Sequence, residues 1–154
     1  MKTAMYPGTF DPLHNCHLDV IERASRIFDE VVVAVAGSPS KGALFGLEER
    51  VEIAQEVLAG KPGLRVISFD GMLVTEFDRQ EVDVVIRGVR LFQDFEFEYT
   101  MALMNRRLNR SFDVLFLMPS EHVLSLSSTL IKDIHRHGGD VSELVPAEVL
   151  RRMT

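Results

Sequence analysis

Cysteine is almost absent from this 154-residue chain, where Cys16 stands alone. That excludes an internal disulfide and any metal site built from several thiolates, and it predicts a reducing, cytoplasmic setting. Positive charge is also scarce. Seventeen Lys and Arg face 23 Asp and Glu, a net charge of −6. No nucleic-acid partner is expected, because affinity for a phosphate backbone rests on an excess of cations. No apolar run reaches membrane-spanning length, and the stretch before Pro7 and Gly8 is too short for a secretory leader, so no membrane partner is expected. Repeats, linkers and low-complexity tracts are missing, which predicts one domain over residues 1–154. A Walker loop and a Gly-x-Gly-x-x-Gly turn are lacking too. So is an obvious carboxylate cluster, and no metal ligand is predicted from the chain itself.

What is present is an alternation. Apolar runs at 2–6, 31–36, 64–68, 82–86 and 114–118 predict strands, and the second and fourth are rich in Val and Ile, as strands covered on both faces are. Amphipathic stretches lie between them. Val20, Ala24, Ile27 and Phe28 share one face of a helix over about residues 16–29, and Leu47, Val51, Ala54 and Leu58 mark a second. A shorter helix carries Leu73 and Phe77, and a longer one has Phe97, Met101, Met104 and Leu108 on one side. Leu130, Ile131 and Ile134 follow serine caps, His137-Gly138-Gly139 closes that helix, and Pro146 fits the first turn of a terminal one. The pattern predicts an α/β fold, a Rossmann-like doubly wound sheet of five parallel strands. In such sheets ligands lie beyond the carboxyl ends of the strands, near the point where strand order reverses.

The loops at those ends carry anion chemistry. Gly8-Thr9-Phe10-Asp11-Pro12-Leu13-His14-Asn15-Cys16-His17 leads into the first helix, whose opening offers free N–H donors and a positive dipole end. His17, in the first turn, can donate to a phosphate oxygen as charge grows on it. His14 and His17 read equally as a surface pair and a helix cap. Lys41 follows the second strand as a point charge suited to phosphate, or as a solvated surface lysine. Arg87-Gly88-Val89-Arg90 places two guanidinium forks around a glycine after the fourth strand. Ser127-Ser128-Thr129 opens a later helix as a second anion nest, or as a cap with no ligand. Four loops bring anion-binding groups to one edge of the sheet, which points to a nucleotide held without either common fingerprint.

Tyr6-Pro7-Gly8-Thr9-Phe10-Asp11-Pro12 with His17 resembles the nucleotidyltransferase superfamily of the His-x-Gly-His type. Ser38-Pro39-Ser40-Lys41, Leu47-Glu48-Glu49-Arg50, Ile86-Arg87-Gly88-Val89-Arg90, Asp94-Phe95-Glu96, Phe116-Leu117-Met118-Pro119 and Ser127-Ser128-Thr129 narrow the likeness. Together they resemble the bacterial phosphopantetheine adenylyltransferases over nearly the whole chain. The resemblance implies adenylyl transfer from ATP, accompanied by Mg²⁺, to 4′-phosphopantetheine, giving 3′-dephospho-coenzyme A and pyrophosphate by direct displacement. It implies catalytic roles for Thr9, His17, Lys41 and Arg90, with His17 stabilising charge at the α-phosphate and Lys41 orienting the incoming phosphate. Arg87 and Leu73, with Thr9 and Lys41, would bind the acceptor. Phe10, Gly88, Val89, Arg90, Glu98, Val123, Leu124, Ser125, Leu126, Ser127, Ser128 and Thr129 would surround ATP. A homohexamer is implied as well.

One departure stands in the signature loop. The family loop usually reads Thr-x-Gly-His, and here it is His14-Asn15-Cys16-His17. If the backbone at position 16 required φ > 0, a side chain there would cost about 1 kcal/mol or more. The expectation is a tolerated variant with altered ATP affinity and an inert Cys16. The alternatives are a nucleotide-binding module whose turnover is lost through Cys16, or a nucleotidyltransferase of the same fold with another acceptor or with CTP.

Overall fold

The structure is a computed structural model and describes residues 1–37 and 42–153. The expected Lys41 lies outside the described residues. Five strands form one all-parallel sheet in the order β3-β2-β1-β4-β5. They are β1 (Thr3–Gly8), β2 (Glu30–Ala36), β3 (Leu64–Phe69), β4 (Val84–Gly88) and β5 (Val114–Leu117). The helices are α1 (Asn15–Ser25), α2 (Leu47–Leu58), α3 (Leu73–Arg79), α4 (Phe92–Leu108), α5 (Ser128–Arg136) and α6 (Ala147–Met153).

Both faces of the sheet are apolar, and the pleat divides each strand between them. Ala4 and Tyr6 of β1, Val31, Val33 and Val35 of β2, and Ile86 of β4 pack with Val20, Ala24, Ile53, Ile131 and Val149, so α1, α2, α5 and α6 cover that face. Met5, Val32, Ala34 and Val85 pack against Val74 and Phe77 of α3 on the other. This is why the central strand β2 reads as a nearly unbroken apolar run.

Two strands run further than the apolar pattern predicts. β1 includes Pro7 and Gly8, paired with Ala34 and Val35, and β4 includes Arg87 and Gly88, paired with Phe116 and Leu117. The guanidinium of Arg87 therefore starts from a strand end rather than from a loop. Between β1 and β4 the register pairs are only Ala4 with Val84 and Met5 with Val85. Pro7 has no N–H to continue that ladder, and its carbonyl instead accepts from Arg87 Nη1 at 3.1 Å. The strands part there, at the point where strand order reverses, and a crevice opens.

α1 ends at Ser25, short of the expected 29. α4 is set apart from the other helices. It has no buried residue, and Phe97, Met104 and Leu108 are 65%, 53% and 62% exposed. These three point outward, whereas Met101, expected on the same side, lies nearer the strand ends.

Candidate active site

Two cavities of about 450 and 480 Å³ lie over the crevice, and Thr9 borders both. The first is bounded by Phe10, His17, Gly88, Arg90, Ser127, Ser128 and Thr129 from the expected set, together with Tyr6, Asp11, His14, Cys16, Val20 and Lys132. The second is bounded by Leu73 and Arg87 from the expected set, with Met72, Glu98, Met101 and Asn105 among its walls.

The first cavity owes its shape to close packing of small groups. A Cβ on Gly88 would sit 3.0 Å from Val20 Cγ2, and one on Gly8 would sit 3.0 Å from the Phe10 ring. Helix α1 and Phe10 thus approach the strand ends because glycine is there. Phe10 itself has φ 50° and packs edge-on against Tyr6 and His17.

The start of α1 differs from the open anion site expected of it. His14 is the N-cap, and its Nδ1 accepts from Cys16 N–H at 3.2 Å. His14 N–H donates to His17 Nδ1 at 3.1 Å, and Asn15 N–H donates to the Leu144 carbonyl at 3.0 Å. These amides are spent inside the chain, so the first turn of α1 offers little to an anion. What it offers is an imidazole. Because His17 Nδ1 accepts, the proton of the neutral ring resides on Nε2, and the side chain is a donor. The rings of His14 and His17 stack with centroids 3.7 Å apart. Burial, then the neighbouring His14 and Arg90, hold His17 well below the usual histidine range. Burial and Arg90 push His14 down to about 3. Both rings are neutral at any ordinary working pH.

The strain considered at position 16 is absent. Cys16 lies inside α1, and its backbone is not among the positive-φ positions. Its side chain is buried with Val123 and Leu126, and burial pushes the thiol pKa up. It is a small apolar filler rather than a thiolate.

At α5 the three hydroxyls divide their work. Ser127 is the N-cap and accepts from Leu130 N–H at 3.1 Å, Ser128 Oγ donates to the Pro12 carbonyl at 2.9 Å, and Thr129 borders the cavity. The geometry of a helix start leaves the amides of Ser128 and Thr129 unpaired within α5. One turn on, Lys132 pairs with the buried carboxylate of Asp11 at 3.4 Å. Neither residue was singled out from the sequence. Lys132 could have been found there, since it shares a helix face with Ser128 and Thr129. Asp11 could not, because its amide partners belong to Leu44 and Phe45, more than 30 residues away. Arg90 donates to the Leu126 carbonyl and pairs with Asp94 at 3.7 Å, closing the cavity on the β4 side.

Glu98 does not stand with the first cavity. It borders the second and pairs with Arg87 Nε at 2.7 Å. Glu98, Met101, Ala102 and Asn105 face that cavity at helical spacing along α4. Val89 and Leu124 border a separate apolar depression with Phe92 and Phe116. Val123 and Leu126 border another depression with Asn15 and His122, and Ser125 is exposed. Of the stretch from 123 to 129, its last three residues reach the first cavity. Among the described residues, no group of three or more His, Cys, Asp or Glu could hold a metal ion, and no helix is long and apolar enough to cross a membrane.

The fold is shared with a solved protein from Vibrio parahaemolyticus, provisionally named a nicotinate-nucleotide adenylyltransferase. Its TM-score is 0.74 at 19% identity, covering 99% of this chain and 92% of that one. A family model described as cytidylyltransferase-like matches residues 5–134. A phosphopantetheine adenylyltransferase of Solidesulfovibrio magneticus is 47% identical over 150 residues, covering 97% of this chain and 87% of the relative. One from Histophilus somni strain 2336 is 47% identical over 153 residues, with 99% and 97% covered. One from Actinobacillus succinogenes is 44% identical over 153 residues, with 99% and 95% covered. With a nucleotide-sized crevice at the strand reversal and this identity along almost its full length, the chain belongs to the phosphopantetheine adenylyltransferase family of cytidylyltransferase-like enzymes.

Proposed function

We propose that the chain transfers the adenylyl group of ATP to 4′-phosphopantetheine in coenzyme A biosynthesis, releasing pyrophosphate. The observation that carries the reading is the pair of cavities meeting at Thr9, in a chain 47% identical to phosphopantetheine adenylyltransferases. The nucleotide occupies the first cavity and the acceptor the second. An oxygen of the acceptor phosphate attacks the α-phosphorus, that P–O bond forms, the bond to the β-phosphate oxygen breaks, and the electron pair leaves with pyrophosphate. No general base is required, since the attacking phosphate is already anionic.

The residues supply position and charge, which is what phosphoryl-type transfer needs. His17 Nε2–H and Thr9 meet the α-phosphate. Arg90, Lys132 and the first-turn amides of α5 meet the leaving phosphates, and Arg87 meets the acceptor phosphate. Lys41 offsets the repulsion between the two substrates. Leu73 and Met72 form the apolar wall of the acceptor cavity. Mg²⁺ accompanying ATP would neutralise part of the triphosphate charge and would draw its ligands from the substrate rather than from side chains of the first cavity. The donor set fits that arrangement, because both Asp11 oxygens are engaged by Leu44, Phe45 and Lys132.

The test is direct. Purified protein with ATP, Mg²⁺ and 4′-phosphopantetheine releases pyrophosphate; turnover with nicotinate mononucleotide or CTP in place of those substrates, and none with them, would overturn the reading. ATP binding with no turnover, restored by Cys16→Gly, would favour the binding module. The reaction takes place in the cytoplasm, in keeping with the buried free thiol of Cys16.

The protein assembles into a homohexamer. Supporting this, α4 turns Phe92, Phe97 and Met104 outward, 86%, 65% and 53% exposed, and Met118 beyond β5 is 75% exposed. Clustered apolar exposure of this kind marks an interface. Sedimentation at the mass of a monomer would refute it.

A further inference from the structure

Arg50 is 4% exposed and stands in the first turn of α2, yet it borders neither cavity. A buried cation near the positive end of a helix dipole is an unfavourable arrangement, and an apolar side chain would fill the same space at lower cost. Its hydrogen bonds run to main-chain carbonyls. Nη1 donates to Thr9 at 2.7 Å and to Ala36 at 2.8 Å, and Nε donates to Phe45 at 3.2 Å.

The first two bonds have a geometric meaning. The β1–β2 ladder ends with Gly8 opposite Val35, so Thr9 and Ala36 form the next position on each strand. One guanidinium nitrogen bridges them, acting as a rung the backbone does not provide. The third bond holds Phe45, whose N–H donates to Asp11 Oδ1 at 2.9 Å while Asp11 Oδ2 pairs with Lys132. Thr9 borders both cavities and Lys132 borders the first. Arg50 thus grips, from behind, the backbone that carries one and the turn that orients the other.

We infer that Arg50 is a positioning residue for adenylyl transfer: its guanidinium sets Thr9 at the meeting point of the two cavities and, through Phe45 and Asp11, sets Lys132. The inference rests on the proposed reaction for its kinetic consequence and on the hydrogen bonds alone for its structural one. Lys at position 50 keeps the charge but not the fork that reaches three carbonyls.

Arg50→Lys is expected to lower kcat on the order of 100-fold, as a displacement near 1 Å does, while KM for ATP and for the acceptor each change less than about threefold. Thr9→Ala, expected to cost about tenfold alone, is expected to cost less than about threefold in the Arg50→Lys background, since non-additivity marks residues acting as a unit. Arg152→Met is the control. It removes ion pairs from α6 to Glu52 and Glu56 of α2, and it is expected to lower the melting temperature with kcat unchanged. Hydrogen exchange without substrates gives a second reading. Peptides covering residues 8–12 and 43–46 are expected to exchange at least about tenfold faster in Arg50→Lys, and those of β5 at the parental rate.

A folded Arg50→Lys with parental kcat and exchange would overturn the inference, as would a kcat loss matching the folded fraction or effects that multiply with Thr9→Ala. Arg50→Gln is the second variant if Lys does not fold; failure of both to fold assigns Arg50 to stability alone and also overturns it. If the parent itself does not turn over these substrates, the adenylyl-transfer reading fails, and the exchange measurement still decides whether Arg50 holds the loops.

Discussion

Replacing His17 by Asn is expected to lower kcat by about 100- to 1,000-fold, the cost of losing one donor aimed at developing charge. That corresponds to about 2.7–4 kcal/mol of transition-state stabilisation. ATP affinity is expected to stay within about threefold, because a bond that strengthens as charge builds on the α-phosphate is weak in the ground state. Asn is the informative replacement. Its short side chain can still accept from His14 N–H, as His17 Nδ1 does at 3.1 Å, while nothing replaces the Nε2 donor. Rate and affinity falling in proportion would show that His17 binds the ground state instead.

The same geometry carries a pH consequence. His17 already donates in its neutral form and is held well below the usual histidine range, so its titration does not shape activity between about pH 6 and 9. Stability does respond. In the unfolded chain His14 and His17 take up protons near pH 6.5, whereas the folded chain refuses them, His14 until about 3. The unfolded state then binds more protons, so stability falls as pH drops below 6.5, by up to about 1.4 kcal/mol per pH unit for each histidine. Urea midpoints measured from pH 7 to pH 5 should fall accordingly. His14→Thr keeps a capping oxygen and should remove about half of that slope. A midpoint independent of pH would contradict the neutral pair.

Arg87→Met should act on the other substrate. Arg87 and Glu98 pair at 2.7 Å beside the second cavity, with side chains 27% and 19% exposed. In the proposed reaction, removing the cation deletes the acceptor phosphate's counter-charge and leaves the Glu98 carboxylate beside that phosphate. Truncating one member of a desolvated, hydrogen-bonded charge pair costs about 2–5 kcal/mol. KM for 4′-phosphopantetheine is therefore expected to rise about 100-fold, with ATP affinity nearly unchanged. Glu98→Gln in the same chain should recover about tenfold of this, because the residual repulsion is removed. An acceptor KM indifferent to Arg87→Met would place the acceptor elsewhere.

The sequence by itself determined the architecture and the sheet edge at which the anion-binding groups gather. Hydrophobic period is a local property, and it marked all five strands, the helices and the segments at the carboxyl ends of the strands from which Thr9, His17, Arg87 and Arg90 reach the two cavities. Local pattern could not say where a ladder stops, so Arg87 and Gly88 belong to β4 rather than to a loop. It could not say which partner consumes a donor. The amides at the start of α1 bind His14, His17 and Leu144 rather than an anion, and Glu98 pairs with Arg87 beside the second cavity.

Tertiary structure alone decided the division into two cavities at Thr9, the placement of Asp11 with Lys132, the outward turn of α4 and the grip of Arg50 on three carbonyls. The hydrogen bonds and ion pairs that set them join groups 5 to 121 residues apart in the chain. Periodicity shows that a side chain leaves one face of an element; what lies across from that face is settled only when the elements pack.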